Sequence, residues 1–144
     1  VFSMIPALKN AEYVRYGVMH RNTFLDSPRL LDRYYRVRGN ERLMFAGQIT
    51  GVEGYVESTA SGCLAALELA RRLEGKAPID FPRETAMGAM ALYISDQSVV
   101  NFQPMNVNFG LIPQLGYRVK GKRNKNAAIS QRALEALAGL DLGV

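Results

Sequence analysis

Apolar and polar positions change period several times along this chain, and each change predicts an element. Residues 12–19, Glu-Tyr-Val-Arg-Tyr-Gly-Val-Met, are β-branched and aromatic and predict a strand. His20-Arg21-Asn22-Thr23 is a polar break, and Ser27-Pro28 marks a turn. Leu30, Leu31, Tyr34, Tyr35 and Val37 predict a second extended or hairpin region with its arginines outward. Gly39-Asn40 supplies a turn, and the apolar run Arg42 to Ala46 has the pattern of a buried strand. From Val56 to Glu74, residues Val56, Ala60, Cys63, Leu64, Leu67, Ala70 and Leu73 recur at three- and four-residue steps, which predicts a helix. Gly75 is placed to stop it, and Pro78 and Pro82 punctuate a linker. A second helix is predicted from Glu84 to Ser95, with Met87, Met90, Ala91 and Ile94 on one face. Residues 97–117 predict an irregular, well-packed loop around Phe102, Met105, Phe109 and Leu111. After the basic tract Gly121 to Asn126, a last short helix is expected near Ser130, with Ser130 as N-cap, carrying Ala133, Leu134 and Leu137. There is no internal repeat and no low-complexity segment.

Composition narrows the class. The 144 residues, 48% hydrophobic and 22% charged, suit one folded domain rather than a disordered chain. No apolar run reaches the length of a membrane span, and no signal-peptide pattern opens the chain. One cysteine, Cys63, and one histidine, His20, exclude an internal disulfide framework and a His/Cys zinc cluster, so no metal is expected. Cys63 reads as a small buried apolar residue, and a reducing cytoplasm is the expected compartment. The net charge of +5 is uneven, with basic flanks at 1–46 and 117–144 around a mildly acidic middle. Such flanks either attract a polyanion or solvate the surface. The first residues, Val-Phe-Ser-Met-Ile-Pro, read as the interior of a longer polypeptide.

The unit at 42–74 carries the most chemistry. A strand leads into Gly47-Gln-Ile-Thr-Gly-Val-Glu-Gly54 and then directly into a helix. Glycines let backbone approach a ligand, and a helix N-terminus offers unpaired N–H groups to electron-rich oxygen. The spacing Gly-x3-Gly-x2-Gly is neither the dinucleotide fingerprint nor a phosphate-binding P-loop. On the residues alone, a ligand loop and a tight structural turn both stand.

The stretch Phe45 to Ser58 resembles the C-terminal flavin-binding signature of the folate- and FAD-dependent tRNA (uracil-5-)-methyltransferases, relatives of the glucose-inhibited-division-A type of flavoprotein. Arg15 to Thr23 resembles a second block of that family and Phe102 to Pro113 a third. Glu84 to Ala89 and the basic tract fit as well, so the resemblance covers nearly the whole chain. It implies methylation of C5 of a uridine in the TΨC loop of tRNA. Methylenetetrahydrofolate would be the carbon donor, with reduced FAD as cofactor and NAD(P)H re-reducing the flavin. It implies an α/β fold: the C-terminal part of a glutathione-reductase-type FAD-binding Rossmann fold, with part of an adjoining α/β region. Residues 1–76 would close the FAD-binding domain. Residues 77–144 would form a C-terminal segment packed on the same domain, with the N-terminal FAD-binding region of the same polypeptide as its partner.

The resemblance also assigns residues. Gly47, Gln48, Thr50, Gly51, Val52, Glu53 and Gly54 would lie at the flavin, with Tyr55 beside it or packing the helix start. Glu57 reads as a carboxylate favouring the helix dipole. His20, Arg21, Asn22, Asn106, Asn108 and Phe109 would meet folate, although the asparagines equally suit holding loop backbone. Lys120, Lys122, Arg123 and Lys125 would meet tRNA phosphates or remain a solvated tail. The family's catalytic cysteines and its pyrophosphate fingerprint lie upstream, and Cys63 does not match those cysteines, so this piece alone is expected to be inactive. Two competing readings are a related FAD-dependent protein that modifies the wobble uridine and a non-catalytic nucleic-acid-binding module. Dependence on S-adenosylmethionine is disfavoured, since no glycine-rich methyltransferase motif follows a first strand.

Overall fold

The structure is a computed structural model that describes residues 1–14, 17 and 22–142. Helix α1, Ser27–Leu30, carries Pro28 in its first turn, where the missing N–H costs nothing. The chain then turns tightly through Asp32, whose Oδ1 accepts the N–H groups of Tyr34 and Arg36 at 2.9 and 3.1 Å. Tyr35 takes a left-handed conformation in this turn and sends its ring into the core. Strand β1, Arg36–Val37, and strand β2, Asn40–Met44, form a two-stranded antiparallel sheet around Gly39. Arg36 pairs with Met44 and Val37 with Asn40, with an irregularity between them. A single 3-10 turn, Gln48–Thr50, precedes helix α2, Tyr55–Leu73. Past its end, Gly75 and Lys76 donate their N–H groups back to the carbonyls of Arg72 and Arg71.

Helix α3, Ala86–Tyr93, is capped by Thr85, whose Oγ1 accepts the Gly88 N–H at 2.9 Å and donates to the Pro82 carbonyl at 2.7 Å. Helix α4, Lys122–Ala138, closes the described chain. The main core joins the turn, α2, α3 and the long loop through Leu31, Tyr35, Val52, Leu64, Ala65, Met90, Ala91, Ile94 and Phe102. A smaller cluster of Ala89, Ile112 and Ile129 seats α4. Arg132 adds hydrogen bonds from its guanidinium to the carbonyls of Pro113 and Gln114.

Among the described residues the fold is thus mixed, mainly helical with one small two-stranded sheet, and several expectations change. Glu12 to Val14 are not in a strand, and residues 15, 16 and 18–21 lie outside the described residues. The region 30–37 begins as a helix end and a turn rather than as a strand. Arg36 does not point outward: its side chain is 18% exposed and paired with Asp32 and Glu68. The strand at 42–46 exists two residues earlier, and it is exposed because one face of a two-stranded ribbon has little to cover it. The buried face of α2 is Ser61, Leu64, Ala65 and Glu68, while Val56, Cys63 and Leu73 are exposed. Cys63 is therefore not a buried apolar residue. Ser130 is no N-cap: α4 begins eight residues earlier behind Gly121, so the basic tract is helical.

Candidate functional site

The glycine loop is tied down at both ends and in the middle. The Gly47 N–H donates to Ser61 Oγ at 2.7 Å, and Ser61 Oγ donates to the Ser58 carbonyl at 2.7 Å. Ser58 Oγ donates to the Val52 carbonyl at 3.0 Å. Thr50 Oγ1 and the Thr50 N–H both bond the Gly47 carbonyl. The Glu53 N–H donates to the Met105 carbonyl, and the Met105 N–H donates to the Gly51 carbonyl, each at 3.1 Å. This parallel bridge between Val52 and Met105 brings the long loop against the glycine loop.

Two glycines are required by these contacts. At Gly51, with φ +85°, a Cβ would overlap the Phe102 ring, lying 2.7 Å from Cε1. At Gly54, with φ +91°, it would run into the Glu57 carboxylate and stand 2.6 Å from Asn106 Nδ2. L-residues pay for positive φ even in open space, and here the space is occupied as well.

The result is a cleft of about 310 Å³ lined by Asn22, Gln48, Glu53, Gly54, Tyr55, Ser58 and Asn106. Its side-chain donors and acceptors are three amides, the hydroxyls of Tyr55 and Ser58, and one carboxylate. Gly54 and Tyr55 open α2 at the cleft, and no side chain caps that helix, so its positive end faces the same space. The cleft draws on three sequence segments that are far apart, at 22, 48–58 and 106. Ser58, which the sequence did not single out, belongs to it.

The other predicted positions fall elsewhere. Thr50 and Val52 are fully buried, so their side chains hold the loop from beneath rather than line the cleft. Gly51 sits against Phe102, and Gly47 against α2. Asn108 Oδ1 accepts the Gly110 N–H at 2.9 Å, the local loop-holding use of asparagine. Asn108 and Phe109 line a separate, largely apolar cavity of about 630 Å³ against Ile129, Ala133, Leu134 and Leu137 of α4. His20 and Arg21 lie outside the described residues. Lys120, Lys122 and Arg123 are exposed and Lys125 half-buried at the start of α4, whose first turn holds no acidic residue. Among the described residues, no helix is long and apolar enough to cross a membrane.

A second polar cluster joins the turn before β1 to α2. Arg36 Nε lies 2.8 Å from Asp32 Oδ2, and its Nη1 lies 3.5 Å from Glu68 Oε1. Its guanidinium also covers the Tyr34 ring at 4.7 Å. Burial pushes the Glu68 carboxyl above the usual carboxylate range, and the Arg36 charge opposes that rise. Burial, then a 2.5 Å hydrogen bond to Asp80, pushes the Tyr34 phenol up to about 12.

A family model described as "Glucose inhibited division protein A" matches residues 1–77. The chain is 57% identical over 137 residues to a methylenetetrahydrofolate–tRNA-(uracil-5-)-methyltransferase TrmFO of Ligilactobacillus salivarius, covering 95% of this chain and 31% of that protein. It is 56% identical over 138 residues to the protein of the same name from Enterococcus faecalis, covering 96% and 32%. With that of Natranaerobius thermophilus it shares 58% over 137 residues, covering 95% and 31%. The chain thus spans about a third of the length of these relatives.

Proposed function

This chain belongs to the glucose inhibited division protein A family, and from that premise we propose that it is the C-terminal part of a flavoenzyme that methylates C5 of a uridine in the TΨC loop of tRNA. Methylenetetrahydrofolate is the carbon donor in this reading, FAD the cofactor and NAD(P)H the reductant, in the cytoplasm. The observation that carries it is the cleft itself. Asn22, Gln48–Ser58 and Asn106 come from the three separate blocks that resemble the folate- and FAD-dependent family, and they meet around one space. The names of the relatives support this reading over wobble-uridine modification and over a non-catalytic module.

The residues present fit one edge of a flavin. At Gly54 the absent Cβ lets the Glu57 carboxylate and the Asn106 amide close directly on the backbone, which forms one polar wall of the cleft. The Gln48 amide offers both a donor and an acceptor, as the pyrimidine edge of such a ring requires, while Asn22 and Asn106 line the same cleft for folate. The volume takes the ring's edge and not a whole dinucleotide, whose remainder would lie on the preceding part of the polypeptide. When bound, FAD supplies the reducing equivalents and mediates transfer of the one-carbon unit. The chain's own residues bind and orient: the open end of α2 favours negative charge on the ring, Glu53 accepts a hydrogen bond, and Tyr55 stands at the mouth, 95% exposed. His20, Arg21 and Asn22 are assigned to folate. Asn108 and Phe109 support the folate side by holding the loop that carries Asn106. Lys120, Lys122, Arg123 and Lys125 are assigned to tRNA phosphates. Residues 1–76 then complete the FAD-binding Rossmann domain, and 77–144 pack on it.

Full-length protein should purify yellow with FAD, and Gly51→Val and Gly54→Val should each strip the flavin. Unchanged FAD occupancy in both variants defeats the site. Label should pass to tRNA from methylenetetrahydrofolate; transfer from S-adenosylmethionine instead defeats the reaction.

A further inference from the structure

We propose that Ser61, a buried hydroxyl that lines no part of the cleft, is a positioning residue that sets the distance between the glycine loop and the N-terminal turn of α2. The inference rests on the reading of the cleft as the flavin site and goes beyond it. Ser61 is 2% exposed and holds two partners at 2.7 Å. It accepts the N–H of Gly47, the first residue of the loop, and donates to the Ser58 carbonyl within α2. Three residues back, Ser58 reaches the far end of the same loop through the Val52 carbonyl. Residues 58 and 61 lie about one turn apart and so share a face of the helix. Two serines on one face of α2 therefore grip the loop at Gly47 and at Val52.

That grip matters because the cleft has two walls. Gln48, Glu53 and Gly54 belong to the loop, and Tyr55 and Ser58 belong to the helix. A flat ligand touching both walls feels their spacing directly, and positioning errors well under an ångström weaken such contacts. The grip at Val52 is supported elsewhere, since the Val52 side chain is buried and the Met105 bridge flanks it. At Gly47 the N–H has Ser61 as its partner. Alanine at Ser61 leaves the part-buried Gly47 N–H without that acceptor, which the loop relieves by moving off the helix. Ser61 also explains a polar residue on the buried face of α2 between apolar neighbours, where alanine would otherwise serve helix formation better.

The test compares Ser61→Ala, Ser61→Cys and Ala66→Gly in full-length holoenzyme. Ala66 is exposed on the same helix, so its glycine variant loosens α2 without touching the loop. Melting temperature, FAD dissociation constant, and the visible absorption band and reduction potential of bound flavin are read for each. Ser61→Ala should weaken FAD binding about tenfold, the loss expected for one hydrogen bond to a part-buried N–H, and shift the flavin band and potential. Ser61→Cys, which keeps a weak acceptor of similar size, should recover part of both. Ala66→Gly should lower the melting temperature at least as far and leave the flavin signals at wild-type values. If Ser61→Ala only matches Ala66→Gly, the inference fails and Ser61 is merely structural. If Gly54→Val also keeps its flavin, or the wild type carries none, the flavin reading fails and takes the inference with it.

Discussion

Replacing Arg36 with methionine should expose how Glu68 is held. Glu68 is a carboxylate whose side chain is 7% exposed on the buried face of α2, and Arg36 is its nearest cation at 3.5 Å. Methionine keeps the apolar stem over Tyr34 and removes the charge. Breaking a buried pair by deleting one partner costs about 3–5 kcal/mol. The long N···O separation and the 18% exposure of Arg36 place this pair at the lower end, about 3 kcal/mol. Loss of the partly buried Asp32 pair and of the cation–π contact adds about 1 kcal/mol. The pH dependence has a definite sign. The Glu68 carboxyl is raised from its ordinary 4.5, so its contribution to stability is fully present below that value and is lost as pH rises through the folded value. Removing Arg36 raises it further, so the gap between variant and wild type should widen from pH 4 to pH 8. Urea denaturation at several pH values measures the gap. The double variant Arg36→Met/Glu68→Leu should return to within about 1 kcal/mol of wild type. A gap that does not change with pH, or a double variant as unstable as the single, refutes the reasoning.

Other expectations are as direct. Gly88→Ala places a Cβ against the Pro82 carbonyl and 2.5 Å from that of Phe81; it should destabilise by about 1–3 kcal/mol despite better helix propensity, and a stabilised variant would falsify that close approach. Thr85→Ala removes the cap of α3 and should cost about 1 kcal/mol in denaturation. Lys122→Glu should do two opposite things. It should stabilise α4 by about 0.3–1 kcal/mol, by placing an acid in a first turn that has none. It should also weaken tRNA binding and lower the salt slope by about 1. His20→Ala should weaken folate-dependent methyl transfer while FAD stays bound, and His20→Phe should restore part of it through a stacking face; equal, wild-type transfer by both removes His20 from the site.

The parts legible in the sequence were those carried by local rules. Helices α2 and α3 followed from three- and four-residue steps, and the stop at Gly75 from capping chemistry. The glycine loop stood out because backbone crowding selects glycine, and Phe102 and Asn106 now account for the crowding at Gly51 and Gly54. The rest depended on tertiary partners. Periodicity counted Val56, Cys63 and Leu73 on the inner face of α2, yet the core accepted Ser61 and Glu68, because each found a polar partner outside the helix. Nothing local in Glu68 announces Arg36. The start of α4 was hidden by its own charge, since a lysine-rich first turn opposes the helix dipole and reads as a tail. Asn106 and Asn108, two positions apart in one block, separated into cleft and loop support, a division that only the Met105 bridge decides.

The bridge between Val52 and Met105 also bears on when the site comes into being. It joins positions roughly 50 residues apart, and such a loop must close before either partner gains anything from it. Helix α2 and its serines can form early from local contacts, while the wall bearing Asn106 arrives only after α3 has docked and the long loop has folded back. A nascent chain that has emerged only as far as α3 therefore carries a glycine loop and no cleft. On the proposed reading of the cleft as the flavin site, cofactor capture belongs to the last stage of folding, and FAD added to refolding full-length protein should hasten the final phase and leave the earlier ones unchanged.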